Sequence, residues 1–81
     1  MWFVYIVECQ DNSLYTGITN NLEKRLKAHN EKKGAKAIKG KLPVKLVHQE
    51  RYNNQKEAAK REREIKSWKR EQKLELVKKG P

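Results

Sequence analysis

The chain has little of several things that would point elsewhere. Cys9 is its only cysteine, so it can form no internal disulfide and no cysteine-based zinc cluster. No apolar run reaches the roughly 18 residues that a membrane span requires. The opening MWFVYIVECQ has no basic stretch ahead of its apolar residues, so nothing marks the chain for export. A reducing, cytoplasmic setting without membrane contact is expected. The sequence shows no repeat and no linker, and its only low-complexity stretch is one basic loop. His29 and His48 lie too far apart in sequence to suggest a zinc site, and Cys9 has no activating partner nearby.

What is present is charge. Among 81 residues, 20 Lys and Arg stand against 10 Asp and Glu, giving a net +10. A polyanion is the natural partner for a domain this small and this basic. Many of these charges pair off along helices. The segment from Lys32 to Lys45, however, carries Lys32, Lys33, Lys36, Lys39, Lys41 and Lys45 without one acid, which favours a nucleic-acid contact over a role in solubility alone. Hydrophobic residues make up 36% of the chain, enough for one small core, so residues 1–81 are expected to form a single domain.

The apolar pattern orders the elements. Trp2 to Cys9 is a nearly unbroken aromatic and β-branched run, as in a strand buried on both faces. Gln10-Asp11-Asn12-Ser13 is a turn cluster that returns the chain through a second strand, Leu14 to Thr19. Asn20 followed by Glu23 predicts a capped helix from Asn21 or Leu22 to about Glu31. Gly34 and Gly40 bracket the basic loop. Pro43 opens a third strand, Val44 to Arg51, with Val44, Leu46 and His48 expected on one side. Asn54 with Glu57 repeats the capping signature before a helix from about Gln55 to Lys66, and a short last helix spans about Glu71 to Val77. A hairpin cannot join parallel strands, so the fold class is α+β: a three-stranded antiparallel sheet flanked by helices, in the order β-β-α-β-α with a short C-terminal helix.

Certain residues carry chemistry. Arg25 and His29 lie one helical turn apart on the face of Leu22 and Leu26, a spacing that also fits an ordinary basic helix surface. A guanidinium forks two phosphate oxygens at once, which suits it to stabilise a phosphorane. On the second long helix, the apolar direction set by Ala58, Ala59, Ile65 and Trp68 lies roughly 50° from Glu62 and roughly 110° from Glu64. Glu62 is therefore the carboxylate at the core edge, although it could simply pair with Lys66 or Lys69. Trp68 sits on that apolar face and is expected to pack rather than stack on bases.

Val4-Tyr5-Ile6 on the first strand and Tyr15-Thr16-Gly17 on the second, followed by Arg25 and His29 and then by Glu62, together resemble the core of a GIY-YIG nuclease. The first triplet reads VYI in place of GIY and the second YTG in place of YIG. Gly34-Ala35-Lys36, Leu42-Pro43-Val44 and Ala59-Lys60-Arg61-Glu62 are similar to landmarks of the minimal stand-alone bacterial branch, akin to the nuclease domain of Slx1-type structure-specific endonucleases. The resemblance implies DNA phosphodiester hydrolysis, with Tyr5, Tyr15, Arg25, His29 and Glu62 as catalytic residues and Glu62 holding one weakly bound Mg2+ or Mn2+. It implies that Tyr5 deprotonates the attacking water while Tyr15 positions water or phosphate. An unperturbed phenol is a poor base at neutral pH, so a nearby cation or Arg25 would have to lower its pKa. Gly17 is expected where backbone closely approaches a ligand or helix, and Lys32, Lys33, Lys36, Lys39 and Lys41 are the expected phosphate contacts. The competing expectation is a basic DNA- or RNA-binding module without catalysis, or an interaction subunit working with a targeting protein. With no appended specificity domain expected, shape or such a partner would select branched or flapped DNA, as in repair or recombination.

Overall fold

The computed structural model of the protein describes residues 1–79, so the last two positions of the expected domain lie outside it. Three strands, β1 (Trp2–Glu8), β2 (Leu14–Thr19) and β3 (Lys45–Tyr52), form an antiparallel sheet in the order β2-β1-β3. Three helices accompany them: α1 (Leu22–Asn30), α2 (Gln55–Lys66) and α3 (Arg70–Lys79). The central strand is covered on both sides, which is why it reads as continuous apolar sequence. Tyr5, Val7 and Cys9 pack under Leu22 and Leu26 of α1 and under Ala35, Ile38, Leu42 and Val44 of the basic loop. Val4 and Ile6 point the other way, against Ala58 and Ile65 of α2 and toward Trp68, Leu76 and Val77. Trp68, in the turn between α2 and α3, is a packing residue, as expected.

The hairpin between β1 and β2 fixes which side chains share a face. The Cys9 amide donates to the Ser13 carbonyl at 2.8 Å and the Asn12 amide to the Cys9 carbonyl at 2.9 Å. This closes a three-residue loop with Asn12 in the left-handed region, φ 70, a conformation that Asn tolerates. The Asp11 carboxylate accepts from the Ser13 amide and hydroxyl and holds the loop. Tyr5 then stands opposite Gly17 and Val7 opposite Tyr15. Tyr5 and Tyr15 consequently lie on the same face, the one beneath α1.

Two local expectations are corrected. The cap of α1 is Asn21, which accepts from the Lys24 amide at 3.0 Å, and not Asn20. The Thr19 hydroxyl accepts from the Asn21 amide at 3.1 Å, taking the role expected of Glu23. On β3, Ile6 pairs with His48 while Val7 pairs with Leu46, so Val47 is an extra residue and the strand bulges. The bulge changes the phase of the alternation. Leu46 packs with the Tyr5 face, whereas His48 falls on the α2 face beside Ile6.

There His48 meets Glu50. That carboxylate is within 2.8 Å of His48 Nε2, accepts from Tyr52 Oη at 2.7 Å, and takes a two-point bond from Arg61, Nε at 2.9 Å and Nη2 at 3.1 Å. Arg61 also reaches Glu64 and lies over the Trp68 ring, 5.1 Å from its centroid. Burial alone would raise the Glu50 pKa, but the bonds from Arg61, His48 and Tyr52 outweigh it and bring it down to about 2. This clamp ties the middle of α2 to β3. Because the folded pKa is depressed, its contribution is complete above the unfolded value near 4.5 and is lost as pH falls toward 2. Glu50→Gln should therefore cost about 3 kcal/mol at pH 7. Urea unfolding of both proteins at pH 7 and pH 3 should show the difference shrinking at the lower pH.

Candidate functional site

The site is built on the α1 side of the sheet. Tyr5 stands on the buried central strand, and its ring leans across β2 above Gly17. An added Cβ at Gly17 would lie 2.6 Å from the Tyr5 hydroxyl and 2.8 Å from Cζ. The missing side chain thus makes room for Tyr5 itself, not for a helix or ligand as the sequence suggested. Tyr15, one step along β2, is half-buried, and its ring centroid lies 6.4 Å from that of Tyr5 and 5.7 Å from that of His29.

α1 brings the basic groups over these phenols. Leu22 and Leu26 seat it in the core, and Arg25 and His29 follow on the same stripe. His29 Nε2 is 2.8 Å from Tyr5 Oη, and Arg25 donates from Nε to the same oxygen at 3.4 Å. Arg25 sits at the core edge as expected, but His29 is buried at 1% exposure, deeper than its spacing suggested. Burial, with the charge of Arg25 adding to it, lowers the His29 pKa, so the ring is neutral at physiological pH. Burial likewise raises the Tyr5 pKa; the hydrogen bond from Arg25 opposes this without overcoming it. Of the two groups that could lower it, a nearby cation or Arg25, Arg25 does not bring the phenol below its ordinary value, because desolvation is the larger effect.

The end of α1 folds back on the site. The Lys33 amide donates to the Ala28 carbonyl at 2.8 Å and the Lys32 amide to the His29 carbonyl at 3.1 Å, with Lys32 at φ 65. This is the Schellman arrangement, with lysine where glycine is commonest. The turn delivers Gly34 and Ala35 onto the His29 ring, where the Ala35 amide donates to Nδ1 at 3.3 Å. Asn30 secures the return: its Oδ1 accepts from the Val44 amide at 2.8 Å. Sequence reasoning read Gly34 as a loop boundary and missed its contact with His29.

Glu62 is held apart from this cluster. It lies on α2, its side chain 20% exposed and 3.3 Å from Lys66, and it makes no direct bond to the tyrosines, although its charge contributes to raising the Tyr5 pKa. Among the described residues no group of three His, Cys, Asp or Glu side chains could hold a metal. A single carboxylate is nonetheless a fitting donor for Mg2+ or Mn2+, which complete their shells with water and phosphate oxygens. Lys66 is the local competitor for that carboxylate. Of the basic loop, Lys32, Lys33, Lys36 and Lys39 are exposed, Lys33 lies 3.9 Å from Glu31, and Lys41 pairs with Asp11 at 3.6 Å.

Two strands with a tyrosine each, a helix bearing arginine and histidine above them, and a carboxylate on a later helix define a catalytic domain of the GIY-YIG type. The chain belongs to the GIY-YIG catalytic domain family, whose model matches residues 1–75. It is 57% identical over 77 residues to a UPF0213 protein of Clostridium perfringens, covering 95% of this chain and 83% of the relative. It is 53% identical over 75 residues to one of Staphylococcus haemolyticus, covering 93% and 92%. The solution NMR structure of a UPF0213 protein from Bacillus halodurans matches with a TM-score of 0.62 at 40% identity, covering 96% of this chain and 84% of that one. Membership implies endonuclease chemistry. No helix among the described residues is long and apolar enough to cross a membrane.

Gly17→Ala tests the packing at the centre of the site. The new methyl must displace the Tyr5 ring, at a cost of about 1–3 kcal/mol. Gly40→Ala is the control, because a Cβ there meets nothing within 4 Å. Thermal unfolding should show a drop for the first and little change for the second.

Proposed function

We propose that the chain, as one domain, is a divalent-metal-dependent endonuclease that hydrolyses DNA phosphodiester bonds. The convergence of Tyr5, His29 and Arg25 on one phenolic oxygen, with Tyr15 alongside and the lysine loop on the same side of the sheet, carries this reading. Glu62 is the residue that would hold Mg2+ or Mn2+. The ion supplies charge neutralisation at the phosphate and a more acidic bound water.

The chain's own groups divide the remaining work. Arg25 keeps Nε on Tyr5 and offers its terminal nitrogens to the phosphate as a planar fork, aimed at the charge that grows on the phosphorane. Tyr15, half-exposed, positions the phosphate or the attacking water. Tyr5 holds a proton at neutral pH and can accept one from water only after losing its own. His29, buried, does not touch substrate and acts through Tyr5. Shape or a targeting partner would select among branched, flapped, nicked and duplex DNA.

Cleavage of such a panel in Mg2+ or Mn2+ tests the reading. Arg25→Ala and Glu62→Gln should each reduce the rate by about a hundredfold or more. Both side chains are at the core edge, so circular dichroism should show intact folds. DNA affinity should fall only slightly, since the lysines supply most of the attraction. A wild-type protein that cuts nothing, while both variants bind as well as it does, would replace this reading with a basic binding module.

The loop lysines should separate in their salt dependence. Lys36→Gln and Lys39→Gln should each make the slope of log affinity against log salt shallower by about one unit. Lys41→Gln should change it less, because Asp11 already neutralises that ammonium. An unchanged slope for Lys36 and Lys39 would return the loop to a role in solubility.

A further inference from the structure

Gly34 and the Ala35 amide lie outside the residues that the nuclease reading uses, yet both press on the His29 ring. A Cβ at Gly34 would stand 2.0 Å from His29 Nδ1 and 2.8 Å from both Cγ and Cε1. No rearrangement of a side-chain tip could relieve that, because the ring is closed in by Tyr5 and Tyr15 on its other sides. The glycine is required there by space.

The Ala35 N–H points at Nδ1, and that direction decides the chemistry. A backbone amide only donates, so Nδ1 must be the bare nitrogen of the neutral ring. The proton therefore resides on Nε2, the nitrogen 2.8 Å from Tyr5. The opposite tautomer would set two N–H groups against each other across 3.3 Å. A doubly protonated ring would do the same while placing a buried cation next to Arg25.

We propose that Gly34 and the Ala35 amide are positioning groups that hold His29 as a hydrogen-bond donor to Tyr5, so that His29 cannot be the base that takes the tyrosine's proton. Tyr5 Oη then accepts from two sides, from His29 Nε2–H and from Arg25 Nε–H. Both of its lone pairs are engaged by donors, and its proton can leave only toward solvent or bound substrate. Two fixed donors also stabilise the phenolate once it forms. The inference rests on the reading of this site as a phosphodiesterase for its meaning, but its test does not depend on cleavage.

The measurement is nuclear magnetic resonance on the intact protein. Long-range 1H–15N correlations of the His29 ring should show a protonated Nε2 and a bare Nδ1 throughout the neutral range. Gly34→Ala should displace the ring and mix the tautomers. With tyrosine labelled at Cζ, His29→Leu removes a donor and should move the Tyr5 ionisation to higher pH. His29→Gln, which keeps an N–H at similar reach, should bring it back toward wild type. A protonated Nδ1, or a Tyr5 that ionises at lower pH in His29→Leu, would overturn the proposal. Should His29→Leu not fold, the wild-type tautomer and the Gly34→Ala spectrum decide alone. In cleavage assays Gly34→Ala should lose at least tenfold in rate with DNA affinity unchanged, a split that general destabilisation would not give. A wild-type protein that never cleaves would remove the nuclease reading and leave the tautomer result standing.

Discussion

The even register between β1 and β2 is the constraint on which the rest of the site depends. Side chains alternate across a sheet with period two, so a slip of one residue would send Tyr15 to the α2 face and leave Tyr5 alone under α1. The three-residue loop closed by Cys9 and Ser13 prevents it. That loop needs one residue in the left-handed region, and Asn12 supplies it. A two-residue turn at Asp11-Asn12 would have given the odd register. Three turn residues thus decide whether two tyrosines ten positions apart stand on the same face.

The opposite face has the complementary task of fixing α2. Its two apolar anchors, Ala58 and Ile65, set how deeply the helix sits, but small and aliphatic side chains leave its rotation weakly specified. Arg61 is forked onto Glu50 and stacked on Trp68, which sets that rotation by directional contacts. Glu62 is the next residue, so its azimuth follows from that of Arg61. Thr16 shows the cost of polarity on the same face: its hydroxyl is buried without a partner, at the position where YTG departs from YIG.

Much of this was legible in sequence because it follows from period and capping. The buried run of β1, the span of α2 and its Asn54 cap are local properties, and they agree with the structure. The features that escaped are those settled between elements. The bulge at Val47 turns His48 over to Glu50, and nothing in the residues around it announces an extra position. Gly17 was recognisable as a place where Cβ cannot fit, but what fills the space is a side chain of the neighbouring strand. Gly34 had the same ambiguity, since a glycine in a lysine-rich loop reads as punctuation. The candidate site residues were singled out mainly by the order of tyrosine, tyrosine, arginine, histidine and glutamate, because spacing on α1 alone describes any basic helix.

The electrostatics of the site follow from burial more than from charge. A net charge of +10 favours ionised phenols, yet the Tyr5 pKa is raised and that of His29 lowered, each chiefly by desolvation. Both groups therefore remain neutral beside a permanently charged guanidinium. In the proposed reaction this keeps Arg25 free for the phosphate, because a phenolate already formed would pair with Arg25 and compete for it. Neutral Tyr5 leaves the fork of Arg25 available, and the donors around Oη are in place before any proton moves. In the proposed reaction the basic loop attracts a polyanion over long range while Tyr5 and His29 stay neutral beside Arg25, so that attraction and chemistry are assigned to different residues of the same face.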